Sequence, residues 1–356
     1  MQRTAIVDDA STKQQFFVKD DGTRLPVSDD FLLPYLSPTS PGTNYWEGPP
    51  PGGASDRQRG RILLQLHQLL DLLQRLGIEL EGKSLLDIGT GNGMIPRLLL
   101  EFSGLAQAVG VDPYLDGEHT SSWQPHDRDA LFRELTEYIV RESPGELDFA
   151  RYGRLAAFEN FTLRPGRVAY ERSGEKRFRF ARLGAHDLAQ LDEKFDVLYC
   201  KAIDHIPDWN GIFQAARAVT SEGALFVIKH FSFFAYLGPH RFATTNIPWG
   251  HLLLTDDEYR RFAHEFHAHR AKQMIDFYFS GLSYPRTPMH DLVELARRAG
   301  FVLHVSINEP MRYAHQIVKY IDLIPDFWRI VRSNHPTVGI EEMLSGRYHM
   351  VFRRVE

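Results

Sequence analysis

The chain of 356 residues is 43% apolar and 24% charged, with a formal net charge of −5. That balance is ordinary for a soluble globular protein and offers no basic field for nucleic acid. One cysteine, Cys200, excludes a disulfide within the chain and a cysteine-rich zinc site, and it fits a reducing compartment.

The first residues, "MQRTAIVDDASTKQQ", are polar and lack the apolar core of a secretory leader. The longest apolar stretch, "ALFVIKHFSFFAYLG", is broken by Lys229 and His230 and falls short of the roughly 18–20 residues of a spanning helix. A cytoplasmic protein without a membrane segment is the expectation. Residues 1–56 read as an irregular arm, because "SPTSPGTNYWEGPPPGGAS" is dense in residues that punctuate helices and strands. Tyr45 and Trp46, adjacent aromatics in a polar arm, suggest a lid that closes over a ligand.

Residues 57–356 read as one domain with insertions. Ile62, Leu66, Leu69, Leu73 and Leu76 recur at helical spacing from Arg57 until Gly77 stops the run. A strand follows from Ser84 to Ile88, then a glycine turn, then a helix with Met94, Ile95, Leu98, Leu99 and Phe102 on its apolar side. "AVGVD", ending at Asp112, is a second strand, so the unit is strand, turn, helix, strand, as in a parallel α/β sheet. Further strands are predicted at Arg177 to Leu183, Phe195 to Cys200, Ala224 to Phe231 and Phe301 to Ile307. A helix between Pro288 and Gly300 precedes the last of these. The final strand, "YHMVFRR", alternates apolar and polar residues as a sheet-edge strand does. Insertions at 113–176, 232–286 and 308–347 interrupt this plan. They are long enough to be functional or to carry helices of their own, such as "DRDALFRELTEYIV" and "DEYRRFAHEFHAHRAKQMIDFYF".

The turn after the first strand reads "LLDIGTGNGM", with glycines at 89, 91 and 93 and an acid at Asp87. A dinucleotide-binding turn would have its third glycine where Met94 stands. No lysine follows the glycines, as a phosphate-cradling loop would require. Acid, apolar residue and alternating glycines together resemble the first motif of class I S-adenosylmethionine-dependent methyltransferases. The resemblance implies a Rossmann-like α/β fold: a seven-stranded, mostly parallel sheet with helices on both faces and large lid-like insertions. It also implies S-adenosylmethionine as cofactor, at the carboxyl ends of the strands. On that reading Asp87 orients the methionine end, and Gly89, Thr90, Gly91 and Gly93 lie against the cofactor. A carboxylate at Asp112 can accept both ribose hydroxyls. The family often places an acid after the third strand for the adenine. Here Gly184 takes that place, which leaves Ala185, His186, Asp187 or a backbone carbonyl for the adenine amino group.

After the fourth strand, "CKAIDHIPDW" resembles the family's block that faces the methyl donor. Lys201 and Ala202 would line the methionine part, and Asp204 and His205 would stand near the acceptor. His205 is either a general base or a support for the loop; a histidine suits an oxygen acceptor, whereas a thioether needs no base. Lys229 and His230 interrupt the fifth strand at its carboxyl end, where ligands bind in open sheets. With His205 they are expected to converge on the donor side. His240, Arg241, Trp249 and His251 follow in the second insertion, where Arg241 could hold a substrate carboxylate.

Among sixteen histidines, His264 and His267 lie three apart on a predicted helix whose core side is Tyr259, Phe262 and Phe266. The spacing is not that of a zinc protease, and both histidines are expected to be solvated, with no metal. The expected function is methylation of a small molecule, with oxygen favoured over sulfur or nitrogen. Neither nucleic acid nor membrane is expected as partner. The other readings are a nicotinamide- or nucleoside-binding oxidoreductase and a non-catalytic module that keeps the cofactor pocket.

Overall fold

In the computed structural model, residues 15–28, 56–114, 125–152, 165–172, 177–236, 238, 243–281, 285–310 and 318–355 are described. By internal contacts the chain divides into two compact units. One comprises residues 42–233, 283–312 and 340–356, and the other comprises residues 1–41, 234–282 and 313–339.

The larger unit is built on seven strands: β1 (Ser84–Ile88), β2 (Gln107–Val111), β3 (Arg177–Ala181), β4 (Phe195–Cys200), β5 (Thr220–Phe231), β6 (Phe301–Pro310) and β7 (Ser345–Arg354). Their order across the sheet is β6, β7, β5, β4, β1, β2, β3. β7 alone runs against the direction of the other six strands. The order reverses direction at β1, since β2 lies on one side and β4 on the other. That reversal opens the crevice at the carboxyl ends where open α/β sheets bind ligands.

Both faces of the sheet are covered. Leu85, Ala108, Val197, Tyr199 and Val227 face a core shared with helices α1 (Asp56–Arg75), α2 (Met94–Phe102) and α3 (Pro125–Glu142). Leu86, Val109, Leu198, Phe226 and Phe352 face the opposite core, with α4 (Trp209–Ala218) and α6 (Met289–Arg298). Burial on both sides explains why the central parallel strands β1, β2, β4 and β5 read as largely apolar runs, whereas the edge strand β3, RFRFA, does not.

The final strand corrects the sequence reading. β7 is no edge strand: it lies between β5 and β6. Its polar residues Tyr348 and His349 are buried rather than solvated. They meet polar partners inside, because His349 lies opposite Lys229 and Tyr348 opposite His230. The edges are β6 and β3. The insertion after β2 also holds a short antiparallel hairpin, Glu146–Asp148 with Arg167–Ala169, that hydrophobic periodicity did not reveal.

The smaller unit collects segments that are distant in sequence. Residues 15–27, expected to be irregular, form an antiparallel hairpin, Gln15–Val18 with Arg24–Val27. Its Phe17 is fully buried against Phe262 and Phe266, at ring-centre distances of 5.5 and 6.2 Å. Lys19 reaches Glu258 at 2.7 Å in a buried ion pair. Glu258 belongs to α5 (Asp256–Phe266), whose start is fixed by a reciprocal capping box with Thr255. The long helical pattern predicted here breaks at His267, where φ is −133°. His267 is buried, not solvated as expected, and its Nε2 lies 3.1 Å from Asn246 Oδ1. His264 is exposed. Trp249 and His251 are buried in this unit, where helix α7 (Phe327–Asn334) brings Phe327 against the Trp249 ring. Tyr45, Trp46, His240 and Arg241 lie outside the described residues. No helix among the described residues is long and apolar enough to cross a membrane.

Candidate functional site

The glycine turn is stitched to the ends of two strands. The N–H groups of Gly89 and Thr90 both donate to Val111 O, at 2.9 and 3.0 Å. Thr90 Oγ1 donates to Asp87 Oδ2 at 2.7 Å, and Gly91 N–H donates to Asp112 Oδ2 at 3.0 Å. Tyr114 N–H donates to the other Asp112 oxygen, also at 3.0 Å. Asp87 and Asp112 are thus held on either side of one turn, and both are buried.

The alternating glycines follow from the backbone. Gly89, Gly91 and Gly93 have φ of 71°, 58° and 73°, a region that penalises side chains. Packing adds a separate reason at two of them. A Cβ on Gly89 would stand 2.5 Å from the Ala202 Cβ, and one on Gly93 would stand 3.0 Å from the Phe178 ring. A Cβ on Gly91 would meet nothing within 4 Å among the described residues, so the turn leaves space beside Asp112 there. At the start of α2 the Met94 N–H is already taken by Asn92 Oδ1 at 3.2 Å, and Pro96 has no N–H to offer. The sequence reading missed Gly110, on β2 behind this turn. A Cβ there would lie 2.8 Å from the Thr90 side chain. Glycine inside a strand is the signal that pointed to it.

Burial pushes the Asp87 carboxyl up to about 7. The Thr90 hydrogen bond opposes that shift, Asp112 adds to it, and Lys201 opposes it weakly. A cationic group arriving here would restore the charge of Asp87. A crevice with two buried acids, an open glycine turn and no triphosphate-binding lysine fits S-adenosylmethionine. Asp87 would face its ammonium group and Asp112 its ribose hydroxyls.

The adenine candidates lie after β3. Ala185 packs against the core shared with α4 and α6. His186 Nε2 lies 3.2 Å from Asp208 O, at the N-terminus of α4. Asp187 is exposed and accepts a long hydrogen bond of 3.4 Å from Gln190. His186 therefore already meets the start of α4, whereas the Asp187 side chain makes no cap on the 3-10 turn that follows it.

The loop after β4 makes a short 3-10 turn, Ile203–His205. Trp209 fixes it, because its indole N–H donates to Ile203 O at 2.8 Å. Asp204 is buried at 6% exposure, and His205 Nε2 lies 3.7 Å from its Oδ2. Lys201 stands between Asp87 and Asp204 electrostatically, since both carboxylates favour its charge. Cys200 is buried at the end of β4, and burial pushes its thiol well up.

Lys229 and His230 do not converge as expected. Strand alternation sends them to opposite faces of the sheet. Lys229 Nζ donates to Gln68 Oε1 of α1 at 2.6 Å. His230 lies on the α4 face, edge-on to Trp209 at 5.2 Å and stacked over Tyr348 at 6.2 Å. Neither ring nitrogen of His230 has a hydrogen-bond partner among the described residues. Burial lowers its pKa to about 4, against the opposing pull of Asp204, so the ring is neutral at pH 7. Sequence spacing pointed to neither Trp209 nor Tyr348 as its neighbours. A separate cleft of about 430 Å³ opens at the amino ends of the strands, near Ile78, Asp196, Glu222 and Arg353. It lies at the far end of the sheet from both acids.

A family model described as a methyltransferase domain matches residues 57–305. No curated protein matches the chain. Solved structures that resemble it include magnesium protoporphyrin IX methyltransferase from Synechocystis PCC 6803 with bound SAH. That likeness has 13% identity and a TM-score of 0.40, over 84% of this chain and 85% of that one. The cyclopropane synthase of Mycobacterium tuberculosis is 15% identical, with a TM-score of 0.42 over 92% of this chain and 94% of that one. An S-adenosylmethionine dependent methyltransferase from Mesorhizobium loti is 14% identical, with a TM-score of 0.40 over 80% and 96%.

Proposed function

The chain belongs to the methyltransferase-domain family and uses S-adenosylmethionine, and from that premise we propose that it methylates an oxygen of a small molecule. One observation carries the cofactor site: two buried acids are hydrogen-bonded into the glycine turn while the space at Gly91 stays open. The bound cofactor supplies a methyl group already activated on a sulfonium. What remains for the protein is mainly to place the acceptor and remove its proton.

Asp112 accepts from the ribose, and Asp87 pairs with the ammonium. Ala185, His186 and Asp187 border the adenine, and Lys201 lines the methionine end. On the acceptor side, the oxygen reading draws support from three proton acceptors near one loop. His205 sits beside Asp204, and His230 is neutral and electrostatically coupled to Asp204. His205, half-buried, is the group that takes the acceptor proton in this reading. Asp204 orients the ring and offsets its positive charge afterwards, as a carboxylate beside a histidine does. The acidic net charge of the chain favours a small molecule over nucleic acid as acceptor.

The test is incubation of the protein with methyl-labelled S-adenosylmethionine and a metabolite extract, followed by mass spectrometry. A labelled ether or ester of low mass is the expected product. Label on a thioether or amine would overturn the oxygen assignment. Cofactor binding without any labelled product would leave a binding module instead.

A further inference from the structure

Helix α3 packs beside β3, and anchors along its length hold it there. Leu131, Leu135 and Ile139 enter the core shared with α1 and α2. Glu134 meets Arg59 of α1 at 2.7 Å, and Asp129 meets Arg97 of α2 at 2.8 Å. The Arg97 guanidinium also lies over two rings, Phe132 of α3 at 4.2 Å and Phe178 of β3 at 5.8 Å. Phe178 is the ring that a Cβ on Gly93 would meet.

Arg128 stands one helical turn before Phe132, and its guanidinium lies over Phe180, 5.6 Å from the ring centre. Phe132 shares Arg97 with Phe178, whereas Arg128 reaches a residue further along β3. α3 therefore runs against β3, and its first turns lie toward the carboxyl ends of the strands. Phe180 pairs with Gly110, the strand glycine behind Thr90, and β2 ends just after it at Val111, before Asp112. Arg128 is thus on the Asp112 side of the glycine turn, with β1 between it and Lys201 on the β4 side.

Arg128 is 9% exposed, and its Nε is buried without a hydrogen-bond partner among the described residues. Arginine is rarely buried to this degree unless it is paired, because stripping water from a cation is costly. The face of Phe180 answers part of the charge but accepts none of the N–H groups in the way an oxygen or ring nitrogen does. Docking of α3 does not explain the side chain, since the apolar anchors and the two ion pairs above already supply it.

The proposed cofactor site brings adenosine to this side of the crevice. Asp112 takes the ribose there, and the methionine end lies across the turn at Asp87 and Lys201. Adenosine suits a guanidinium in two ways. Its ring nitrogens and ribose oxygens accept N–H groups, and its flat base stacks on a planar cation.

We propose that Arg128 binds the adenosine half of S-adenosylmethionine, which makes α3 a part of the cofactor site alongside the glycine turn and the strand ends. The assignment rests on the cofactor reading given above. Arg128 donates to the adenosine, and Phe180 holds the guanidinium in place.

Titration calorimetry on the full chain tests this with S-adenosylhomocysteine and with methylthioadenosine, which keeps the adenosine and lacks the amino-acid end. Arg128→Met should weaken both ligands by about tenfold, the order for a hydrogen bond to a charged group. Its ligand-free melting temperature should stay level or rise, because the substitution removes a buried cation that lacks an anion. Asp129→Asn breaks the neighbouring ion pair with Arg97 and should leave both affinities unchanged. If Arg128→Met does not fold, Arg128→Lys keeps the charge and the stem without the planar fork, and it should weaken both ligands in the same direction. The assignment is overturned if the Arg128 variants bind both ligands as the parent does, or if the loss appears for S-adenosylhomocysteine alone. It is equally overturned if Asp129→Asn weakens binding as much, or if Arg128→Met lowers the ligand-free melting temperature as the loss of a brace for α3 would. A parent chain that binds neither ligand is a separate outcome, which removes the cofactor site itself and this assignment with it.

Discussion

Asp112 holds the turn with both oxygens, which accept from the Gly91 and Tyr114 N–H groups, and in the proposed cofactor site the same carboxylate takes the ribose hydroxyls. Asp112→Ala should therefore weaken S-adenosylmethionine binding by about 1.5–3 kcal/mol, the range for hydrogen bonds to a charged group. Calorimetry measures that loss, and a melting curve separates it from loosening of the turn. Gly91→Val should be worse for binding. Its φ of 58° costs a side chain roughly 1–2 kcal/mol, and the branched group fills the open space beside Asp112. A folded Gly91→Val protein with unchanged cofactor affinity would remove the pocket from the turn. For His205, the substitution His205→Asn keeps a polar side chain and loses the proton acceptor. Single-turnover rates should then fall by about 100-fold if the acceptor is a hydroxyl. A near-normal rate in this variant would point to sulfur or a neutral amine.

Elements matter because strand order decides which residues can meet. Most strands were legible from sequence, and β1 and β4 were read at their observed bounds. The central parallel strands are buried on both faces, so their apolar runs are nearly continuous and their ends are marked by turns. β7 was misread because alternation of polar and apolar residues does not distinguish water from a polar interior. Its polar residues meet Lys229, His230 and Glu309, which are far away in sequence. The neighbouring β5 is the more conventional core strand. Its Phe226 is fully buried, with the rings of Phe213 and Phe301 at 5.7 and 5.8 Å. Phe226→Ala should destabilise the larger unit by about 3–5 kcal/mol through the cavity it leaves, as measured by urea unfolding.

At the scale of the whole molecule, buried titratable groups set the response to pH. Burial lowers His67 to about 3 and His230 to about 4, and it raises Asp87 to about 7. Between about pH 6.5 and pH 5, the unfolded chain protonates both histidines and ionises Asp87. In the same window the folded chain keeps both histidines neutral and Asp87 protonated. The unfolded state thus holds one more proton on these three groups. Stability should rise with pH by ~1.4 kcal/mol per unit across this window, and fall as pH drops. The histidines, with folded pKa values depressed, lose their stability as pH falls. Asp87, with its pKa raised, loses its own as pH rises, so it opposes them in part. Urea unfolding in the absence of cofactor at several pH values measures the slope. His67→Leu should flatten it, and an unchanged slope would show that His67 is not the source.

The sequence by itself determined the turn that defines the site. Three glycines at alternate positions, flanked by Asp87 and followed by a strand ending in Asp112, are local features. Backbone conformation and strand–turn–helix periodicity act over a few residues, so they leave a mark in the chain. The sequence could not show which distant side chains share a face. Strand pairing alone put Lys229 opposite His349 and sent His230 to Tyr348 on the other side. It was likewise packing, not pattern, that brought the hairpin at residues 15–27 against α5, where Phe17 meets Phe262 and Phe266. Apolar periodicity records that a face is buried but not against what, because a hydrophobic contact is non-directional. The partners were fixed only when the chain had folded and its long-range contacts were made.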